Sequence, residues 1–393
     1  MSNKFHTSDT KPSNIGSVLF DYLLKFSEEN TDMIDLPKIQ NIVDNFSENT
    51  LSLYLNIDPS YIENQSQTPA WRIWLKNELK NINHTIDTSV TPIWDDINKR
   101  LNTFFSDYQI NGRTLVLFMD QDQEYIHELP FTMRHRGHFG KPLVSPLLWA
   151  MDEYKPYLIV MVDQQQAIFR KAYLGNLETE AKMTIDLEYD WGQKTLMPAS
   201  NANGQALRQG NNQDAFEDMI SEHINRFYRD VADSIDDLYN QQSMRVILAG
   251  DERSAHAVQN DLHATTQKHL VGILPIPMNA NEKEIMQRVS KMAYDYERNY
   301  EDTLISSIMS INHDNGRGIL GKEKLAKAME MQQVELIVMP FSLLQSDPEY
   351  AHELTMWTLN NNCPIEFVHG QAAKRLEQAG KIAARLYFSV ETA

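Results

Sequence analysis

The chain contains one cysteine, Cys363, in 393 residues. That excludes a disulfide framework and a cysteine-rich zinc site. No apolar run approaches the ~20 residues of a membrane span, so no membrane partner is expected. The N-terminus lacks a signal-peptide apolar region, which makes the cytoplasm the expected compartment. Positive charge is scarce: 36 Lys and Arg against 54 Asp and Glu leave a net charge of −18. A generic nucleic-acid coat is therefore excluded, and DNA is not an expected partner, because neutralising phosphates needs clustered cations. Local basic patches for RNA remain open. There is no Walker loop and no nucleophile-elbow serine, and there are no internal repeats.

What is present is an ordinary globular composition, 42% hydrophobic, in a chain long enough for two or three domains. Hydrophobic periodicity predicts an α/β protein of three domains. Residues 1–150 form an N-terminal α/β domain. Its polar start, 1–14, is expected to be disordered and leads into a short helix over Ile15–Ser27. A strand follows over Leu51–Ile57, then helices over Trp71–Asn83 and Thr91–Phe105, and a hairpin of Thr114–Met119 with Tyr125–Leu129. Residues 151–280 read as a mixed sheet with flanking helices. Its strands are Tyr157–Val162, Ala167–Leu174 and Ala181–Tyr189, followed by a long loop and a helix over Asp214–Asn240. Strand Arg245–Ala249, helix Asp251–His269 and strand Ile273–Ile276 complete it. Residues 281–393 comprise a linker helix, Glu282–Ile311, and a three-layer α/β/α sandwich. The sandwich alternates Lys322–Met331, Val334–Met339, Pro348–Asn361, Pro364–Val368, Gln371–Gly380 and Ile382–Phe388.

Three segments stand out as candidate sites. The loop Trp191–Gln213 has 23 residues and no Asp or Glu, and its only charges are Lys194 and Arg208. Acidic residues flank it on both sides, at Glu188 and Asp190 and then at Asp214, Glu217 and Asp218. A loop this long inside a compact domain is either functional or a mobile surface segment. One without acids meets little repulsion among phosphates. The densest basic cluster, read as a loop, holds Arg134, His135, Arg136, His138 and Lys141. Arg, His and an aromatic among glycines suit phosphate binding and base stacking, and they equally suit a solvated basic loop. His135 and His138 have no Cys and no close carboxylate to complete a metal site, so no metal and no cofactor is expected. Gly316-x-Gly318-x-x-Gly321 has the spacing of a dinucleotide loop, but a helical pattern precedes it where that motif needs a strand. Trp357 and Met356 read as core residues.

The stretch from Gly316 to Met339 resembles the start of the C-terminal domain of the archaeal and eukaryotic class I release factor and Pelota. A glycine turn leads into a helix ending Ala328-Met329-Glu330-Met331, then a strand Val334-Glu335-Leu336-Ile337-Val338. Gly380–Phe388 is similar to that family's closing strand and Asn49–Asp58 to its first, so the resemblance covers roughly residues 50–390, with the bacterial branch nearest. In the family, the position of the loop Trp191–Gln213 carries a Gly-Gly-Gln motif that enters the peptidyl transferase centre. Here Asn203-Gly204-Gln205-Ala-Leu-Arg208 resembles it, and Trp191-Gly192-Gln193 is a weaker second match. Both lack the first glycine, for which Asn is a better substitute than Trp because it tolerates positive φ. The family's codon-reading tip matches Asn81-Ile82-Asn83-His84, placed at a helix–helix turn, without the lysine and serine.

The resemblance implies a ribosome-bound protein that contacts rRNA of both subunits of the bacterial 70S ribosome. The first domain would lie at the decoding centre, the middle loop at the peptidyl transferase centre, and the third domain against elongation factor Tu. Erosion of both motifs favours a non-catalytic occupant of the vacant A site, a ribosome hibernation factor that does not read stop codons. The alternatives are a peptidyl-tRNA hydrolase or rescue factor in which Gln205 orients water, and a nucleotide-binding enzyme using Gly316, Gly318 and Gly321.

Overall fold

The structure is a computed structural model and describes residues 34–173, 176–185, 209–241, 244–314 and 316–388. The expected helix Ile15–Ser27, Asn315 and most of the acid-free loop lie outside the described residues. Among the described residues the fold is α/β, with three separate sheets. They pack as two compact units: Lys155–Tyr296, and Ile34–Tyr154 together with the chain from Glu297 onward. No helix among them is long and apolar enough to cross a membrane.

Helix α1 (Leu36–Asn45) starts where Asp35 accepts the Lys38 N–H at 2.8 Å, with a proline in the first turn. Strand β1 (Thr50–Asn56) follows, then α2 (Ala70–Thr85), α3 (Thr91–Asp107), β2 (Thr114–Met119), β3 (Glu124–Leu129), β4 (Arg136–Gly140) and α4 (Ser145–Glu153). The sheet is antiparallel, in the order β3-β2-β1-β4. Leu51, Leu53 and Leu55 alternate onto one face. That face is covered by Trp71, Leu75 and Ile82 of α2 and by Trp94, Ile97, Leu101 and Phe105 of α3. Both helices thus present one residue per turn to the strands, which is the pattern legible in their sequences.

The other compact unit opens with β5 (Tyr157–Val162), β6 (Gln166–Tyr173) and β7 (Asn176–Thr184), followed by α5 (Gln209–Gln241). Then come β8 (Arg245–Gly250), α6 (Glu252–Asp261), α7 (Ala264–Gln267) and β9 (Leu270–Leu274). The order is β7-β6-β5-β8-β9; β5, β8 and β9 run parallel, and β6 is antiparallel to β5 and β7. Leu158, Val160 and Val162 meet Phe227, Val231, Ile235 and Leu238 of α5 on one face. Ile159 and Met161 meet Ile285 and Val289 on the other. Burial on both faces explains why β5 is apolar without alternation. The single helix expected over Asp251–His269 is two, because Leu262 and His263 adopt extended backbone and His263 Nδ1 caps the second by accepting the Thr265 N–H. Helix α5 begins five residues before the expected Asp214, since its Gln- and Asn-rich first turn has no apolar residue to mark it.

Helix α8 (Glu282–Asp314) is continuous through the unit boundary. After it come β10 (Gly318–Leu320), α9 (Lys322–Glu330), β11 (Val334–Pro340), α10 (Leu343–Ser346) and α11 (Pro348–Asn360). The chain ends on β12 (Ile365–Val368), α12 (Gly370–Ala379) and β13 (Ala383–Leu386). The order is β10-β13-β11-β12, with β11 and β12 parallel and β13 antiparallel to both its neighbours. Leu304, Ile305 and Ile308 of α8 pack with Leu336, Val338, Val368 and Leu376. Strand β10 lies where the sequence suggested a glycine turn. A Cβ on Gly318 would sit 2.2 Å from the Ile308 carbonyl oxygen, so the glycine is what lets the strand pass α8. A helix precedes these glycines, and Gly318 serves backbone packing.

Candidate nucleic-acid interface

The basic cluster expected as a loop is largely strand. Thr50–Tyr54 of β1 pairs antiparallel with Arg136–Gly140, Tyr54 opposite Arg136 and Ser52 opposite His138. Its glycines and cations concealed this, because a strand so poor in apolar side chains forms only where a neighbouring edge is free to pair. Alternation sends Phe139 to the apolar face, where it meets Trp94 edge-on at 5.3 Å. Gly137 lies on the same face, and a Cβ there would fall 2.6 Å from the Glu78 Cγ of α2. Arg136 and His138 point to the opposite face.

The cluster is mostly engaged within the protein. Arg134 donates to Gln345 Oε1 at 2.9 Å, and Arg136 donates to the Leu344 carbonyl at 2.6 Å. Lys141 lies 3.0 Å from Glu48, both exposed, an arrangement that contributes little in water. His135 stacks on Trp74 at 4.8 Å and accepts the Asn56 N–H at Nδ1. Burial pushes its imidazole below the usual histidine range, and does the same at His138 despite Glu349 nearby. Both rings therefore favour the neutral form, and the positive charge rests on Arg134, Arg136 and Lys141.

Asn81, Ile82, Asn83 and His84 lie in the last turns of α2 rather than in the connection to α3. Helical spacing separates them: Ile82 is 7% exposed and part of the core, while the other three are exposed. Ile82 is thus a packing residue, and of the four residues expected at a decoding-centre tip only Asn81, Asn83 and His84 are exposed. Asn81 and Ile82 border a groove of about 430 Å³ that also reaches His138, so tertiary structure joins two segments far apart in sequence. Glu48, Glu78 and Asp87 line the same groove, and three carboxylates oppose a phosphate backbone lying in it. Sequence reasoning passed over Lys76 and Lys80, which are exposed on α2 and stand at i and i+4 ahead of His84 at i+8. That spacing places all three on one helix face.

One cluster has ligand atoms of the kind metals take: Glu153, Glu301 and His369, within 4.8 Å of one another. A guanidinium already occupies it. Arg298 donates to both Glu153 oxygens, at 3.0 and 2.7 Å, and lies 3.1 Å from Glu301. The Trp149 indole N–H engages His369 Nε2. The arrangement serves as a structural ion network. Cys363 is buried and its thiol is pushed up to about 11 by that burial, so it is not a nucleophile at neutral pH.

The peptidyl-transferase candidates Trp191, Gln193, Lys194, Asn203, Gly204, Gln205 and Arg208 lie outside the described residues. Their segment connects β7 to α5.

Residues 142–294 match the family described as Bacterial archaeo-eukaryotic release factor family 10. No curated protein matches the chain in sequence. Among solved structures it is similar to the archaeal translation termination factor aRF1, at 17% identity over 90% of this chain and 97% of that one, with a TM-score of 0.26. Dom34 of S. cerevisiae, a translation termination-like factor, matches at 13% identity over 73% and 77%, with a TM-score of 0.43. Ribosome-bound archaeal Pelota matches at 11% identity over 92% and 96%, with a TM-score of 0.44.

Proposed function

We propose that the chain is a release factor-like translation factor that occupies the vacant A site of the bacterial 70S ribosome, blocks tRNA entry and protects idle ribosomes. In this it would act as does the hibernation factor Balon, which it resembles. The observation that carries the reading is the family match over residues 142–294, a segment that contains the acid-free stretch Trp191–Gln213, which follows β7 and runs into the start of α5. That stretch would approach rRNA near the peptidyl transferase centre through Trp191, Gln193, Lys194, Asn203, Gly204, Gln205 and Arg208. Loss of the first glycine of its motif argues for occupancy over ester hydrolysis.

The remaining assignments follow from the same reading. Residues 1–150 would face the decoding centre through the exposed Asn81, Asn83 and His84, with Arg134 and Lys141 as further phosphate contacts, in the absence of the lysine and serine that accompany stop-codon reading. Residues 281–393 would meet a translational GTPase, elongation factor Tu. The setting is the cytoplasm of a cell under stress.

A second reading keeps Gln205 as a residue that orients water for peptidyl-tRNA hydrolysis, and the retained Gly204-Gln205-Ala-Leu-Arg208 run favours it. One assay separates the two. The purified protein is pelleted with vacant bacterial ribosomes, then mixed with ribosomes carrying peptidyl-tRNA while peptide release is followed. Pelleting without release supports occupancy. Release that is lost in Gln205→Ala supports the hydrolase, and failure to pellet together with absence of release sinks both.

A further inference from the structure

Within the unit formed by Ile34–Tyr154 and the chain from Glu297 onward, a cleft of about 280 Å³ separates Thr132–Arg136 from the segment Phe341–Gln345. Its character is unusual for this chain. Trp149 and Phe341, 4.7 Å apart and both partly exposed, supply aromatic wall, and the buried Met133 adds apolar surface. The Trp149 indole N–H is already engaged by His369, so the cleft has the use of its ring alone. Two guanidiniums, Arg134 and Arg136, line the same cleft.

Both arginines bond neutral acceptors. Arg134 uses the amide oxygen of Gln345 and Arg136 the carbonyl of Leu344. Neither has a carboxylate partner among the described residues, although acids outnumber bases 54 to 36 in this chain. Each guanidinium has five N–H donors in a planar fork, so each can bond further acceptors beside the one named. Arg136 is half-buried, and a partly desolvated charge with no counter-charge is costly. Burial accordingly draws it below the usual guanidinium range. If the two arginines served only to fasten the Phe341–Gln345 segment, neutral donors would suffice. An apolar ligand would leave the charges uncompensated, and a bare inorganic anion would leave the aromatic wall uncovered.

We propose that this cleft binds a nucleotide, the base against Trp149 and Phe341 and the phosphate held by Arg134 and Arg136. Planar forks match phosphate oxygens, and aromatic faces stack on any base. A free mononucleotide and a nucleotide within single-stranded RNA present the same chemistry, and the experiment distinguishes them.

Isothermal titration calorimetry is run on the full chain with AMP and GMP, with adenosine and inorganic phosphate as halves of the ligand, and with a short single-stranded RNA. Two variants, Arg134→Gln and Arg136→Gln, are titrated alongside, their folding checked by circular dichroism. Arg134 is exposed, so its variant remains informative should the half-buried Arg136 prove necessary for folding. Mononucleotide binding that exceeds either half, and weakens roughly tenfold or more in each folded variant, supports a free-nucleotide site. RNA binding with the same dependence, in the absence of mononucleotide binding, assigns the cleft to a nucleotide in RNA. Binding of neither ligand, or binding indifferent to both substitutions, overturns the proposal.

Discussion

The indole N–H of Trp149 donates to Nε2 of His369 at 3.2 Å, and that bond sets the tautomer of the imidazole. With Nε2 accepting, the proton sits on Nδ1, which faces Glu301 at 3.3 Å and Glu153 at 3.5 Å. The His369 backbone N–H donates to the other Glu301 oxygen at 2.8 Å. Side chains from α4, α8 and the connection after β12 are joined through this one network.

Arg298 supplies the network's full positive charge, and Glu301 is 2% exposed. Arg298→Met leaves two close carboxylates without it, and a loss of about 3 kcal/mol is expected. Trp149→Phe removes one hydrogen bond and part of a ring that packs on Phe131, Tyr154 and Phe341, and should cost about 1–2 kcal/mol. Urea denaturation of both variants ranks the two effects; equal losses would contradict the network.

Ile82 and its neighbours separate packing from contact. Ile82→Ala empties a core position beneath α2 and should destabilise by roughly 2–4 kcal/mol. Asn81→Ala and His84→Ala change exposed positions and should stay within about 0.5 kcal/mol. Any loss of ribosome pelleting in those two variants therefore reports a lost contact, whereas a matching fall in thermal midpoint would show that they too are structural.

Burial pushes the imidazoles of His135, His138 and His352 below the usual range. Glu349 opposes this at His138, and His138 and Lys141 reinforce it at His352. A folded pKa below the unfolded one means that unfolding takes up protons between the two values. The contribution to stability is complete above about pH 6.5 and declines as pH falls through the folded values. Urea midpoints should be lower at pH 5.5 than at pH 7.5. The paired variant His138→Gln/His352→Gln should show a smaller difference between those two conditions.

Gly318 passes the Ile308 carbonyl too closely for any Cβ. Gly318→Ala should cost about 2 kcal/mol or more, read as a lower thermal midpoint. Gly321→Ala meets no atom but must hold a φ of +95°; a loss of about 1 kcal/mol is expected from backbone strain alone. If Gly318→Ala proved the milder of the two, the close approach of β10 to α8 would be wrong.

The sequence by itself determined the elements whose own pattern decides them. β1, the β2–β3 hairpin, α2, α3, β5, β8, β11 and α11 were legible within a residue or two at most ends, because one-face burial imposes a period of 2 or 3.6 and two-face burial leaves an unbroken apolar run, as in β5 and β8. The candidate site was legible only as residue types: the acid-free loop, the basic cluster and the end of α2 could be named, but not arranged. Tertiary structure decided that Arg136–Gly140 is a strand, since a segment of glycines and cations pairs only when the edge of β1 is offered to it. It decided that Ile82 is core, because its burial depends on α3 and β1 lying beneath α2. It also brought Phe341, about 200 residues along the chain, to the cleft that Arg134, Arg136 and Trp149 line. No local period encodes such an encounter, because it arises from the packing of segments remote in sequence.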